Sequence, residues 1–376
     1  MAEQAAGSGR IGLYIHVPFC DGRCPYCDFF SLRGDSARMD DYTDCIIRNL
    51  KSASEQVGRQ ADSLYLGGGT PSLLGGRRTA RIIAAARKWF GLGRAEITVE
   101  ANPGGDLRGF FREAAAAGVN RVSLGLQSAE PEELRLLGRR HTADDAKRAV
   151  EAVRDAGITN LSLDLMLAVQ GQTEESLSRS VDFCASCGAQ HISAYLLQLE
   201  PHTLYWKERA SLRLPDENGA AALYLAAVRL LTARGYRQYE ISNFAKPGFR
   251  SLHNLKYWDC EEYLGLGPSA HSFLGGRRFH EEPSLRAFLT GNPPVQDGTG
   301  GDFDEFAMLR LRLADGLTDA GCRARFGRPI PKPVSRAAKQ YEPAGLVRCF
   351  PGGFRFTPRG FLVSNPLTAS VLFSAS

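Results

Sequence analysis

Along the chain, short apolar runs rich in Val, Ile, Leu and Tyr alternate with longer stretches in which Ala and Leu recur among Arg and Glu. The runs at 13–17, 63–66, 96–100, 121–126, 160–166 and 191–197 have the length and composition of buried strands. The stretches between them read as helices, and several stop at a glycine: Gly118, Gly157, Gly188 and Gly235. A glycine just past the last turn takes the left-handed cap conformation without a Cβ penalty, so these positions punctuate the units. Strand and helix in strict alternation predict an α/β fold built on a parallel sheet.

After about residue 235 the pattern becomes aromatic-rich and glycine-broken up to about residue 301, with no clear repeat. Residues 303–317 then predict an amphipathic helix, and Gly353-Phe-Arg-Phe-Thr-Pro-Arg-Gly360 a small hairpin before a last helix. That tail is similar to a winged helix.

Composition narrows the function classes. A chain of 376 residues holds one large α/β domain with an appended module, or two domains. Lys and Arg exceed Asp and Glu by five (46 against 41), and the basic residues are scattered in pairs such as Arg77-Arg78 and Arg277-Arg278, so nothing points to nucleic acid. There is no apolar run long enough to span a bilayer and no signal-peptide core, and the start, Met-Ala-Glu-Gln-Ala-Ala-Gly, reads as polar and flexible. Nine cysteines are odd in number and sparse for a chain this long, which argues against a disulfide framework and for a reducing, cytoplasmic setting.

The cysteines carry the strongest chemical signal. Cys20, Cys24 and Cys27 fall within His-Val-Pro-Phe-Cys-Asp-Gly-Arg-Cys-Pro-Tyr-Cys, just after a strand. Three thiolates can hold three irons of a cubane cluster and leave the fourth open, whereas a closed electron-transfer cluster needs a fourth cysteine. A structural zinc site wants four ligands, and no second pair follows at finger-like spacing; His16 is the only other nearby ligand. The Cys-x-x-x-Cys-x-aromatic-Cys motif after Leu13-Tyr-Ile-His-Val17 resembles the radical S-adenosylmethionine (SAM) family. That resemblance implies a partial (β/α)6 TIM-type barrel, a 4Fe-4S cluster whose open iron chelates SAM, and cleavage of SAM to a 5'-deoxyadenosyl radical on reduction.

Other motifs fit the same family. Gly67-Gly68-Gly69-Thr70-Pro71 follows the second strand, where α/β folds bind ligands; alone, it would read as a tight turn. Glu100, Gln127 and Asp164 are expected at the ends of the third, fourth and fifth strands, around one concavity. A carboxylate such as Asp164 can accept both ribose hydroxyls, and Arg139 can pair with a carboxylate in fork geometry. The resemblance implies that Gly68, Gly69 and Thr70 contact the methionine part of SAM. It also implies that Tyr14, Tyr26, Glu100, Gln127, Arg139, Asp164 and Gln198 line the SAM pocket. Leu167-Ala-Val-Gln-Gly-Gln-Thr173 departs from the family's Gly-Leu-Pro-Gly-Gln-Thr, which puts the rigidity of this loop in question. Cys184 and Cys187 have no partner pair and read as buried thiols, and Cys45, Cys260, Cys322 and Cys349 have no ligand spacing.

Arg121-Val-Ser-Leu-Gly-Leu-Gln-Ser128, Leu137-Gly-Arg-Arg-His141, Tyr239-Glu-Ile-Ser-Asn-Phe244 and Tyr263-Leu-Gly-Leu-Gly267 resemble the oxygen-independent coproporphyrinogen III oxidase branch. The true oxidases of that branch carry a long N-terminal arm and a further cysteine two places after the third cluster cysteine. Here the first strand begins near residue 13 and Phe29 stands at that position. Both departures point to the haem chaperones of the branch, the HemW-like proteins. His253-Asn254-Leu-Lys-Tyr257-Trp258 has their His-Asn-x-x-Tyr-Trp motif, associated with haem binding. Imidazole can ligate haem iron, and Tyr and Trp offer flat faces to a macrocycle. Without the resemblance, His253 would read as a satisfied polar residue and Tyr257 and Trp258 as core aromatics.

The expectation is a radical SAM core over residues 1–235, a haem-handling connection over 236–300 and a smaller C-terminal α+β, winged-helix-like region over 301–376. The expected function is binding of haem, a 4Fe-4S cluster and SAM and transfer of haem to an acceptor protein, with a homodimer left open. The alternative is an oxidase decarboxylating two propionates of coproporphyrinogen III.

Overall fold

The computed structural model describes residues 9–373, so the N-terminal segment expected to be flexible lies outside the described residues. Six parallel strands run in sequence order, β1 (Ile11–Val17), β2 (Ala61–Gly68), β3 (Glu96–Ala101), β4 (Arg121–Gln127), β5 (Asn160–Leu167) and β6 (His191–Leu196). Most residues of these strands are buried, as expected where helices cover one face and the other closes on itself. The sheet and the smaller C-terminal domain give the expected α/β class.

The helices between the strands start on side-chain caps. Thr142 accepts from the Asp145 amide and Asp145 returns the bond, and Thr173 and Ser176 do the same one unit later. Gly118, Gly157, Gly188 and Gly235, read as stop signals, all have positive φ (107°, 82°, 62° and 83°).

The strands between residues 237 and 299 join this sheet at both edges. On one side β8 (Asn243–Ala245) adds antiparallel to β6, and β7 (Arg237–Gln238) pairs antiparallel with β8 at the edge. On the other, β9 (Tyr263–Leu266) pairs parallel with β1 and is followed by the antiparallel ribbon β10 (His271–Leu274), β11 (Arg277–His280) and β12 (Val295–Thr299). The described sheet thus has twelve strands, and nothing interrupts it near residue 235.

The C-terminal region packs helices around a three-stranded antiparallel sheet, β13 (Leu317–Thr318), β15 (Gly353–Phe356) and β14 (Val347–Phe350). Two expectations need correction. The helix expected over 303–317 ends at Arg310, because Leu313 leaves it to bridge with Glu240 at the main sheet. The hairpin spans β14 and β15 and turns at Gly352 (φ 79°), upstream of its expected place, since Thr357 and Pro358 cap and open a helix, Pro358–Leu362. No described helix is long and apolar enough to cross a membrane.

Candidate functional site

The C-terminal ends of the six parallel strands surround a cavity of about 340 Å3. The loop carrying the three cysteines leaves β1 and is pinned at both ends by the bridge between Phe19 and Leu32, with Cys20 N donating to Leu32 O at 3.0 Å. Cys20, Cys24 and Cys27 all line the cavity as free, half-buried thiols. Cys27 is pushed up in pKa by burial.

A continuous hydrogen-bonded chain supports them. Thr70 Oγ1 donates to Cys20 Sγ (3.4 Å) and accepts from Asn102 Nδ2 (2.9 Å); Asn102 Oδ1 accepts from Arg139 Nη2 (2.7 Å); and Arg139 Nη1 donates to Cys24 Sγ (3.5 Å). Arg139 also donates to Gly125 O at 2.8 Å. Much of its guanidinium is therefore spent on the protein, whereas the sequence reading reserved it for a ligand carboxylate. Asn102, which also lines the cavity, was not among the residues expected there.

The glycines at the end of β2 let the chain pass close to the cysteine loop. Gly69 N donates to Val17 O (2.8 Å) and Thr70 N to Phe19 O (2.7 Å), and a Cβ on Gly69 would stand 2.6 Å from Phe19 O. Gly68, at φ 109°, turns its amide to Glu100 Oε2 (3.1 Å), while Tyr65 Oη donates to Glu100 Oε1 (2.7 Å). Glu100 sits deep in the cavity wall, and burial raises its pKa to about 7 against the pull of those two donors.

Gln127 closes β4 in a left-handed conformation (φ 68°), uncommon for a residue with a side chain, and lines the cavity with Gln198 and Tyr26. Asp164 also lines it but does not end its strand, which runs on to Leu167; it accepts from Ser123 Oγ (3.1 Å) and Ser162 Oγ (3.5 Å), and burial raises its pKa. Once Gln127 and Asp164 are placed, the two-residue period of a strand gives their inward neighbours: Arg121 and Ser123 on β4, Met166 on β5, and Ser193 and Tyr195 on β6. The sequence reading missed all five. Arg121 is 1 % exposed, and its Nε and Nη1 have no hydrogen-bond partner among the described residues.

Tyr14 lies outside this cavity. It lines a second one, of about 570 Å3, together with Phe29, Phe30, Tyr257 and Trp258. Asp28 and Phe29 belong to both walls, so the cysteine loop separates the two spaces. Phe29 is 64 % exposed. His253, on the helix Leu252–Trp258, is fully buried, with Nδ1 2.8 Å from Ser63 Oγ and Nε2 2.7 Å from Tyr257 Oη. Burial lowers its pKa to about 3, so it is neutral and both ring nitrogens are occupied. Of its motif, Asn254 reaches the first cavity and Tyr257 and Trp258 the second.

The sequence matches the Radical SAM superfamily over residues 14–184 and the HemN C-terminal domain over 303–363. It is 38% identical over 318 residues to the heme chaperone HemW of Escherichia coli, covering 81% of this chain and 83% of that protein. With HemW of Bacillus subtilis the identity is 31% over 372 residues, 96% of this chain and 98% of the relative. The chain belongs to the HemW-like branch of the radical SAM superfamily. Bovine radical S-adenosyl methionine domain-containing protein 1, mitochondrial, is 38% identical over 394 residues, 98% of this chain and 88% of that one. The structure of coproporphyrinogen III oxidase (HemN) from Escherichia coli superposes with a TM-score of 0.81 at 21% identity, over 97% of this chain and 90% of the other, and so shares the fold.

Membership of the radical SAM superfamily implies a 4Fe-4S cluster and SAM. The site fits both groups: three unpaired thiols converge on a cavity whose far walls carry carboxylates and hydroxyls. The loop that departs from the family is held by another route. Gln172 Oε1 accepts from Ala168 N (2.7 Å) and Gln172 Nε2 donates to Met166 O (3.1 Å), so a buried side chain fixes the turn. Ala168 itself is left-handed, at φ 59°.

Proposed function

We propose that this HemW-like protein is a cytoplasmic haem chaperone that holds a 4Fe-4S cluster and SAM in the first cavity, carries haem in the second and passes it to an acceptor protein. The observation that carries this reading is the second, aromatic-walled cavity sharing Phe29 with the cysteine loop, at the position where the oxidases of the branch have a cysteine.

In this reading Cys20, Cys24 and Cys27 would ligate the cluster, which would supply one-electron reducing chemistry at this site. Thr70 and Arg139 donate hydrogen bonds to two of the sulfurs, which steadies thiolate charge and raises the reduction potential. Glu100 offers a carboxylate to the cationic end of SAM, and Asp164, oriented by Ser123 and Ser162, accepts from the ribose hydroxyls. The aromatic side chains of the second cavity give haem flat apolar contacts.

Anaerobic reconstitution followed by titration with haem tests the assignment. The expected result is a saturable Soret change at an equimolar ratio with iron and sulfide content intact. Failure of the reconstituted protein to bind haem saturably would overturn it.

A further inference from the structure

Resting on the haem-chaperone reading above, we infer that the haem iron is ligated by His271 in the second cavity, and that His253 positions the cavity wall without touching iron. Elimination within this cavity leads there. Ligation needs an imidazole nitrogen free of other duties. His253 has none free, and His16 has none either: its Nε2 donates to Phe30 O (2.9 Å) and its Nδ1 accepts from Tyr14 Oη (3.1 Å). Both rings are buried. The phenols of the wall are no better. Tyr14 is engaged by His16, Tyr257 by His253 and Tyr263 by Arg278 (3.3 Å), and burial raises the pKa of all three, away from the phenolate that iron would take. No cysteine lines this cavity. His271 lines it with a 65 % exposed side chain that makes no hydrogen bond among the described residues.

The surroundings of His271 suit a ligand. It stands on β10 directly across from His280 on β11, the rings stacked at 5.0 Å, and His280 Nδ1 is held by Asp297 of β12 at 2.8 Å. The Asp297 carboxylate also lies 3.8 Å from His271 Nδ1. A carboxylate behind an imidazole fixes the ring and leaves Nε2 for the metal. Three paired strands make that platform rigid. A further sign of an intended occupant is Trp258 in the same wall, whose indole Nε1 is buried with no hydrogen-bond partner among the described residues and so can donate to a propionate. The volume, about 570 Å3, is in the usual range for a cofactor pocket. His253, bonded to Tyr257 and packed edge-on against its ring at 5.1 Å, then acts as a clamp on one aromatic of the wall.

The test is a titration of the reconstituted full-length protein with ferric haem, read by Soret position and electron paramagnetic resonance, with circular dichroism and cluster content as folding controls. His271→Ala should lose the imidazole-ligated signature, and His271→Gly should regain it with added imidazole. Asp297→Asn should keep the signature but raise the dissociation constant about tenfold, as loss of an outer carboxylate does. His253→Asn should keep the signature of the wild type, with weaker binding. A wild-type spectrum in His271→Ala overturns the assignment, as does loss of the signature in His253→Asn alone. The trio His271, His280 and Asp297 has the make-up of a divalent-cation site, so Zn2+ is the control. Zn2+ binding that needs His271 while haem binding does not would also overturn it. A wild-type protein that takes up no haem would instead sink the chaperone reading itself, and this inference with it.

Discussion

Replacing Glu100 by Gln removes a titration that the first cavity sets near neutrality. Its carboxylate, pushed up to about 7 by burial, is held by Tyr65 and the Gly68 amide. If the ionised form is the one that receives the cationic end of SAM, affinity follows the ionised fraction, about 0.1 at pH 6 and about 0.9 at pH 8. The SAM dissociation constant of the wild type should therefore fall about tenfold between those values, equivalent to about 1.4 kcal/mol. The sign is fixed: ionisation increases as pH rises, so binding tightens. SAM carries its own titrating amine, and the ratio of wild type to Glu100→Gln cancels it. Tyr65→Phe deletes a donor to the charged form and should move the midpoint up by about one unit, since hydrogen bonds to charged groups contribute about 1.5 to 3 kcal/mol. Titration calorimetry of the cluster-loaded protein from pH 6 to 8 decides it. Parallel pH profiles for wild type and Glu100→Gln would refute the placement of Glu100 against SAM.

Cys24→Ala should abolish the intact cluster while Cys184→Ala leaves it whole, because Cys184 is buried in the core away from the cavity; iron and sulfide analysis after anaerobic reconstitution checks both. Asp164→Ala should weaken SAM binding about tenfold to a hundredfold with the cluster retained, read by calorimetry. Ala168→Gly should stabilise the protein by up to about 1 kcal/mol in denaturant unfolding, since an alanine there is held at φ 59°.

The barrel was legible because its signals are local. Apolar runs, capping residues and glycines at positive φ each announce themselves within a few positions, and the cysteine spacing needs no tertiary knowledge. What escaped depends on pairing distant segments. The union of β9 with β1 joins residues 263–266 to residues 12–15, and no short-range pattern encodes it. The same union buries His253 against Ser63 of β2 and places Tyr14 beside the second cavity. The motif around His253 was visible in sequence, but the state of its ring nitrogens was not. Arg121 was hidden for a related reason: an arginine opening an apolar strand reads as a surface residue until the barrel closes around it.

The most direct test of the chaperone reading is the reaction it denies. The reconstituted, haem-binding protein is incubated anaerobically with coproporphyrinogen III, SAM and a strong reductant, and the porphyrinogens are resolved by chromatography. With Phe29 where the oxidases have a cysteine, the account predicts unconsumed substrate in a sample that still takes up haem. Accumulation of protoporphyrinogen over many turnovers would contradict it.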